Sequence, residues 1–184
     1  MIPALVLAAG SGRRMGGPKA LLTIEGETLL QHAITAATAA GCDPMIAVVG
    51  EWNPGPLAGR VTVIPNLEAA EGMASSIRAG IAALPPGSEG VLILTVDQLA
   101  VDAHLLRRLL ALASEDPTRP AACAYGGSLG IPAILPRHLF PDLLALRGDR
   151  GAKAILLREN AAALPFPEGV ADLDTPEDVQ RFRR

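Results

Sequence analysis

The sequence predicts an α/β protein with one doubly wound, mostly parallel sheet and helices on both of its faces. Two observations carry this. Short apolar runs recur along the chain with helix-spaced segments between them, and the runs are continuous rather than alternating, as strands covered on both faces must be. The span 1–184 reads as a single domain, because 184 residues, 49% of them hydrophobic, fill one core and fall short of two.

The strand-type runs are PALVLAA at 3–9, MIAVVG at 45–50, VTVIP at 61–65, VLILTVD at 91–97, PAACAY at 120–125, a short one around Ile131 to Leu135, and ALPFP at 163–167. Helical spacing marks TLLQHAITAATAAG at 28–41, SSIRAGIAALP at 75–85 and DAHLLRRLLALAS at 102–114. Gly41 and Pro85 are stop signals for the first two, and Asp102 is an N-cap for the third. A Gly-rich turn at 126–130 precedes the Ile131 strand, after which a helix follows. GDRGAKAILLRE is expected to form a helix capped by Asp149, and TPEDVQRFRR a last helix with Pro176 in its first turn. EWNPGPLAGR, at 51–60, has the composition of a mobile surface loop.

Charge and composition exclude several functions. The formal net charge is -3, and positive charge clusters only locally, with Arg13, Arg14 and Lys19 in one loop and Arg181, Arg183 and Arg184 reading as a solvated helix end, so no nucleic-acid surface is expected. Trp52 and Tyr125 are too isolated to make a stacking platform for bases. No apolar run approaches the roughly 20 residues that cross a bilayer, so no membrane partner is expected either. Cys42 and Cys123 lack metal or C-x-x-C spacing, which predicts reduced thiols and a cytoplasmic setting, with a disulfide between them as the lesser alternative. His32, His104 and His138 are scattered without metal spacing and receive no role.

The loop after the first strand holds the chemistry. In GSGRRMGGPK, glycines at 10, 12, 16 and 17 allow a tight turn whose N–H groups approach a ligand, at the usual ligand position beyond a strand's carboxyl end. Two arginines and a lysine make that ligand anionic, a phosphate chain above all. The spacing matches neither G-x-x-x-x-G-K-[ST], since Ala20 follows Lys19, nor G-x-G-x-x-G, since Met15 stands at the third glycine. Asp97 ends its strand run and should emerge beside this loop as a metal ligand, although an aspartate there also reads as a cap for the next helix.

LAAGSGRRMGGPK resembles the L-A-A-G-x-G-x-R-M-G-x-x-K signature of nucleotidyltransferases that couple sugars, lipids and cofactors to a nucleoside triphosphate. With NLEAAEGMASSIRAG, LTVDQ, GIPAILP, GDRGAK and DLDTPED, the chain is most similar to the molybdenum cofactor cytidylyltransferase group, over Leu5 to Val179. The resemblance implies the Rossmann-like nucleotide-diphospho-sugar transferase fold and Mg²⁺-dependent transfer of CMP from CTP to a phosphorylated cofactor. By the same resemblance the acceptor would be molybdopterin, pyrophosphate would be released, and a molybdenum enzyme would be the partner that receives the product. Catalysis is assigned to Arg14, Lys19 and Asp97, and nucleotide binding to Leu7, Ala8, Ala9, Gly10, Gly12, Arg13, Asn66, Gly72, Met73, Ser75 and Ser76 besides those three. Asp97 and Asp174 would hold the metal, with Asp172 competing for the second place; a capping role for the acidic turn before the last helix is compatible with either.

Ala9 favours CTP, because the guanylyl branch tends to carry glycine there. Gly130, Pro132, Arg150 and Lys153 are the acceptor candidates, Asp149 as a helix cap being the reading of that stretch without a ligand. Leu99 departs from the relatives' D-x-P and is expected to alter the turn, and Ile131 stands where the molybdopterin enzymes often have histidine. Arg78 has two readings, the nucleotide or solvent, and Ser75 and Ser76 serve equally as a plain helix start. A guanylyl or sugar-phosphate transferase and a non-catalytic accessory protein are the alternatives.

Overall fold

The computed structural model describes residues 1–10, 12 and 16–170. The last helix, Asp172, Asp174, Arg13 and Arg14 lie outside the described residues. Seven strands form the main sheet: β1 (Ala4–Ala8), β4 (Met45–Val49), β5 (Val61–Pro65), β6 (Gly90–Thr95), β7 (Ala121–Tyr125), β8 (Ser128–Pro136) and β9 (Ala162–Pro165), in the order β5-β4-β1-β6-β8-β7-β9. β2 (Thr23–Ile24) and β3 (Glu27–Thr28) make a small separate hairpin, turned by Glu25 and Gly26 at φ 53° and 87°.

β1 is buried along its whole length and shows why its sequence is continuously apolar. Ala4, Val6 and Ala8 face one layer, and Leu5, Leu7 and Ala9 the other. The first layer is built by α1 (Leu29–Ala39) and α3 (Ala103–Glu115), the second by α2 (Met73–Ala82), α4 (Phe140–Leu144) and α5 (Lys153–Arg158). The doubly wound α/β fold expected from the sequence is the fold observed. Caps are local: Thr28 Oγ1 accepts the Gln31 N–H and Asp102 Oδ1 accepts the Leu105 N–H, as the sequence predicts for Asp102. Gly41, at φ 95°, follows the first helix.

The strand order positions the site. From β1 the chain runs outward to β4 and β5, then returns through α2 to β6 on β1's other side, so the order reverses between β1 and β6. In an open sheet of this kind the crevice at the carboxyl ends of the strands on either side of the reversal receives ligands.

Three expectations need correction. The stretch 51–60 does not hang free: the Gln31 side chain accepts the Ala58 N–H at 2.7 Å, and Trp52 and Leu57 pack on the α1 layer, where a crossover helix would otherwise lie. The strand around Ile131 is longer than predicted, Ser128–Pro136, and runs antiparallel to both β6 and β7. It tolerates Pro132 because the β7–β8 register jumps from Ala122↔Ala133 to Cys123↔Gly130, leaving Ile131 and Pro132 opposite no β7 residue. Asp149 caps no helix, since α5 begins only at Lys153, after Ala152 and with no side-chain cap.

Cys42 and Cys123 are free and buried, so the disulfide alternative falls; burial pushes their thiols up to about 11 and about 12. No helix among the described residues is long and apolar enough to cross a membrane.

Candidate active site

β1 and β6 are paired in register, Leu7 beside Thr95, so the segments that leave their carboxyl ends emerge side by side. The first carries the glycine loop. Gly12 sits at φ 54°, and a Cβ there would overlap the carbonyl oxygen of Gly17 and stand 2.9 Å from the Lys19 amide nitrogen, so only glycine lets the loop fold back on itself. The returning strand of the loop enters a 3-10 turn at Lys19–Leu21. Asp97 leaves β6, and its Oδ2 lies 3.9 Å from Lys19 Nζ, with both side chains partly exposed. A cation and a carboxylate drawn from different strand ends thus meet at one point.

Around them opens a cavity of about 360 Å³, within the usual range for small ligands. Leu7, Ala8, Ala9, Gly10, Gly12, Lys19, Gly72, Met73, Ser76 and Asp97 line it, all candidates from the sequence. Asn66 and Ser75 do not line it. The buried Asn66 amide donates to Ser75 Oγ at 2.9 Å and to Ser76 Oγ at 3.0 Å, and Ser75 Oγ donates to the Gly72 carbonyl. They hold the start of α2 from behind, as positioning residues.

Gly72 itself has φ 121° and ψ -171°, a region open to glycine alone. A Cβ there would overlap Asp149 Oδ1 and lie 2.7 Å from the Gly148 carbonyl. The approach of the 148–149 segment is further fixed by Ala74 N–H donating to Gly148 O at 3.0 Å.

Arg78 faces neither of its two expected destinations. It makes a two-pronged contact with Glu71, reaches Glu68, and donates to the Leu146 carbonyl at 2.9 Å, while Glu71 Oε1 also accepts the Gly148 N–H. The Arg78 hydrogen bond, with help from Gly148, brings the Glu71 carboxyl from its ordinary 4.5 down to about 2. This clasp ties two walls of the cavity together. Its contribution is complete above the unfolded carboxyl's value near 4.5 and is lost as pH falls from there toward about 2. Arg78→Met is expected to weaken ligand binding in the cavity about tenfold at pH 7, with the fold retained; titration of both proteins with one nucleotide checks this.

Met73 also lines a second cavity, of about 340 Å³, together with Tyr125, Gly130, Ile131, Gly151 and Lys153. Of the acceptor candidates, Gly130 and Lys153 lie on this wall; Pro132, which is buried, and Arg150, which is exposed, do not. Tyr125 Oη donates to the Ile131 carbonyl at 2.8 Å and accepts from Gln98 Nε2 at 3.2 Å. Gln98, 6% exposed and next to Asp97 in the chain, is thereby bonded to a residue of the second cavity. Leu99, like Leu22, Ile24 and Val96, packs against the buried Leu29 of α1, and its carbonyl contacts His32 Nε2 at 3.3 Å.

Sequence reasoning missed Asp149 as a residue of the first wall and Gln98 as the partner of Tyr125 on the second. Gln98 carried a signal in its place next to Asp97. Asp149 carried a weaker one, in a glycine on either side of the pair Asp149-Arg150 and three residues between it and the start of α5.

Comparison with known proteins agrees with this geometry. A molybdenum cofactor guanylyltransferase of Rhodobacter capsulatus is 30% identical, over 98% of this chain and 94% of its own. A nicotine blue oxidoreductase of Paenarthrobacter nicotinovorans is 31% identical, over 97% and 91%. The solved structure of Rv0371C of Mycobacterium tuberculosis H37Rv in complex with manganese superposes with a TM-score of 0.78 at 27% identity, over 98% of this chain and 96% of that one. The family model that describes the MobA-like NTP transferase domain matches residues 4–163, from the first residue of β1 into β9. With a glycine loop, a lysine and an aspartate gathered at the sheet's reversal, and with most of its length matched, the chain belongs to the MobA-like NTP transferase family and is a nucleotidyltransferase.

Proposed function

We propose that this nucleotidyltransferase transfers CMP from CTP to molybdopterin and releases pyrophosphate. The observation that carries the reading is the meeting of Lys19 and Asp97 under the glycine loop, at one end of a cavity whose α2 end is lined by Ala69, Gly72, Met73 and Ser76. The acceptor's terminal phosphate oxygen forms a bond to the α-phosphorus of CTP, the bond from that phosphorus to the bridging oxygen breaks, and pyrophosphate departs with the electron pair. Lys19 balances charge on the departing phosphates, with Arg13 and Arg14 of the same loop. The second cavity, across Met73, takes the acceptor, with Lys153 toward its phosphate. The product then passes to a molybdenum enzyme.

Asp97 is suited to Mg²⁺, which binds through one or two carboxylates and the substrate phosphates and keeps several waters. It lines the cavity at its charged end, and Asp174 is the proposed second carboxylate, with Asp172 its competitor. The metal supplies Lewis-acid polarisation of the phosphates when bound. The similar chain's crystallisation with manganese supports a divalent ion here.

CTP is favoured by Ala9. GTP is the second nucleotide reading, supported by the name of the Rhodobacter relative. The name of the Paenarthrobacter relative supports a different class, an oxidoreductase.

Melting the protein with CTP, GTP, ATP, UTP or NADH, each with and without Mg²⁺, separates these. A ligand at a hundredfold over its Kd adds about 2.7 kcal/mol. The proposal expects the largest, metal-dependent rise with CTP. A larger rise with GTP moves the chain to the guanylyl relatives, and a rise with NADH alone moves it to the oxidoreductase.

A further inference from the structure

Asp149 lies on the wall of the nucleotide cavity and, among the described residues, makes no hydrogen bond or ion pair. It differs in this from Asp97, which faces Lys19 at 3.9 Å. A carboxylate without a cation beside it repels a triphosphate, so Asp149 is not a phosphate ligand. Its neighbour is Gly72 at the start of α2, where the wall is made by Ala69, Gly72, Met73 and Ser76 and carries no charge. A flat heterocycle fits such a wall and a phosphate chain does not.

Two contacts keep the 148–149 segment in place, Gly148 O accepting from Ala74 N–H and Gly148 N–H donating to Glu71. The absence of a side chain at Gly72 then lets the Asp149 carboxylate lie against the start of α2. Ser76 supplies the opposite polarity on the same wall: its oxygen accepts from Asn66, which leaves the hydroxyl hydrogen to donate.

We propose that the Asp149 carboxylate, held against Gly72, accepts a hydrogen bond from the exocyclic amino group of the nucleobase and so selects cytosine over uracil. This rests on the reading of the cavity as a nucleotide site. Cytosine offers a ring acceptor at N3 beside an amino donor at C4, the complement of Ser76 and Asp149. Uracil offers the reverse, an N3–H beside a carbonyl oxygen that the carboxylate repels.

The test measures CTP and UTP affinity, with Mg²⁺, for the wild-type chain, Asp149→Asn and Asp149→Ala. The wild type is expected to prefer CTP by about tenfold or more, as loss of a hydrogen bond to a charged group implies. In Asp149→Asn an amide N–H faces the base, so UTP gains affinity and the two nucleotides come within about threefold of each other; Asp149→Ala loses the preference without the gain for UTP. An equal fall for both nucleotides in Asp149→Asn overturns the proposal, as does a wild type indifferent to the pair, and in both cases the cavity still stands as a nucleotide site. If no nucleotide binds the wild type, the reading of the cavity fails and takes the proposal with it.

Discussion

Asp97→Asn is expected to lower nucleotidyl transfer about a thousandfold while the protein still folds and still binds nucleotide without metal. The substitution keeps shape and removes the charge that faces Lys19 and, in the proposed function, holds Mg²⁺. Because the side chain is 28% exposed, beyond the end of β6, and its ion pair with Lys19 is long, the fold loses little. Single-turnover transfer, measured beside a melting curve of the same sample, separates the two effects. Activity near wild type would remove Asp97 from the chemistry; a melt far below wild type would mean that the loss came from the fold.

Gly72→Ala is the second substitution with a large expected effect. At φ 121° and ψ -171° an alanine costs about 1–3 kcal/mol in backbone strain alone. Its Cβ would also overlap Asp149 Oδ1 and crowd the Gly148 carbonyl, which is backbone and cannot swing aside. The expected outcome is a lower melting temperature together with a loss of nucleotide affinity of about tenfold or more, since the start of α2 and the 148–149 segment must separate. Denaturant unfolding and nucleotide titration check the two parts. Gly10, where a Cβ would meet nothing within 4 Å, is the comparison: Gly10→Ala should leave stability nearly unchanged.

Much of the fold was legible because its signals are local. A strand buried on both faces has to be apolar throughout, which is what ALVLA and VLIL display, and the Asp102 cap needs only the amide three residues on. Strand direction has no such local mark. The apolar run at 131–135 gave no sign that β8 runs against β6 and β7, and Pro132, which normally argues against a strand interior, is accommodated by a register jump visible only in the pairing. Thr23–Ile24 and Glu27–Thr28 are too short for periodicity to register, so their hairpin leaves no mark in the sequence pattern.

The site divides along the same line. Gly10, Gly12, Lys19 and Asp97 were found because they flank strand ends, where position in sequence and position in space nearly coincide. Asn66 and Ser75 have the right chemistry for a base pocket, yet their polar groups are satisfied by each other and by Gly72, which no spacing rule reveals. The sequence neighbours of Asp149 suggest a helix cap, whereas its placement depends on a glycine 77 residues earlier in the chain. Arg78 shows the converse, a charge near the nucleotide in sequence terms that is committed to Glu71 and the Leu146 carbonyl.

The most direct measurement is pyrophosphate release from CTP by the purified chain, with Mg²⁺ and with or without molybdopterin, using Asp97→Asn as the control. The account predicts release that needs both metal and acceptor, equals the CMP transferred, and vanishes in the control. Binding of nucleotide and acceptor with no pyrophosphate formed would contradict it and leave a binding protein on a nucleotidyltransferase fold.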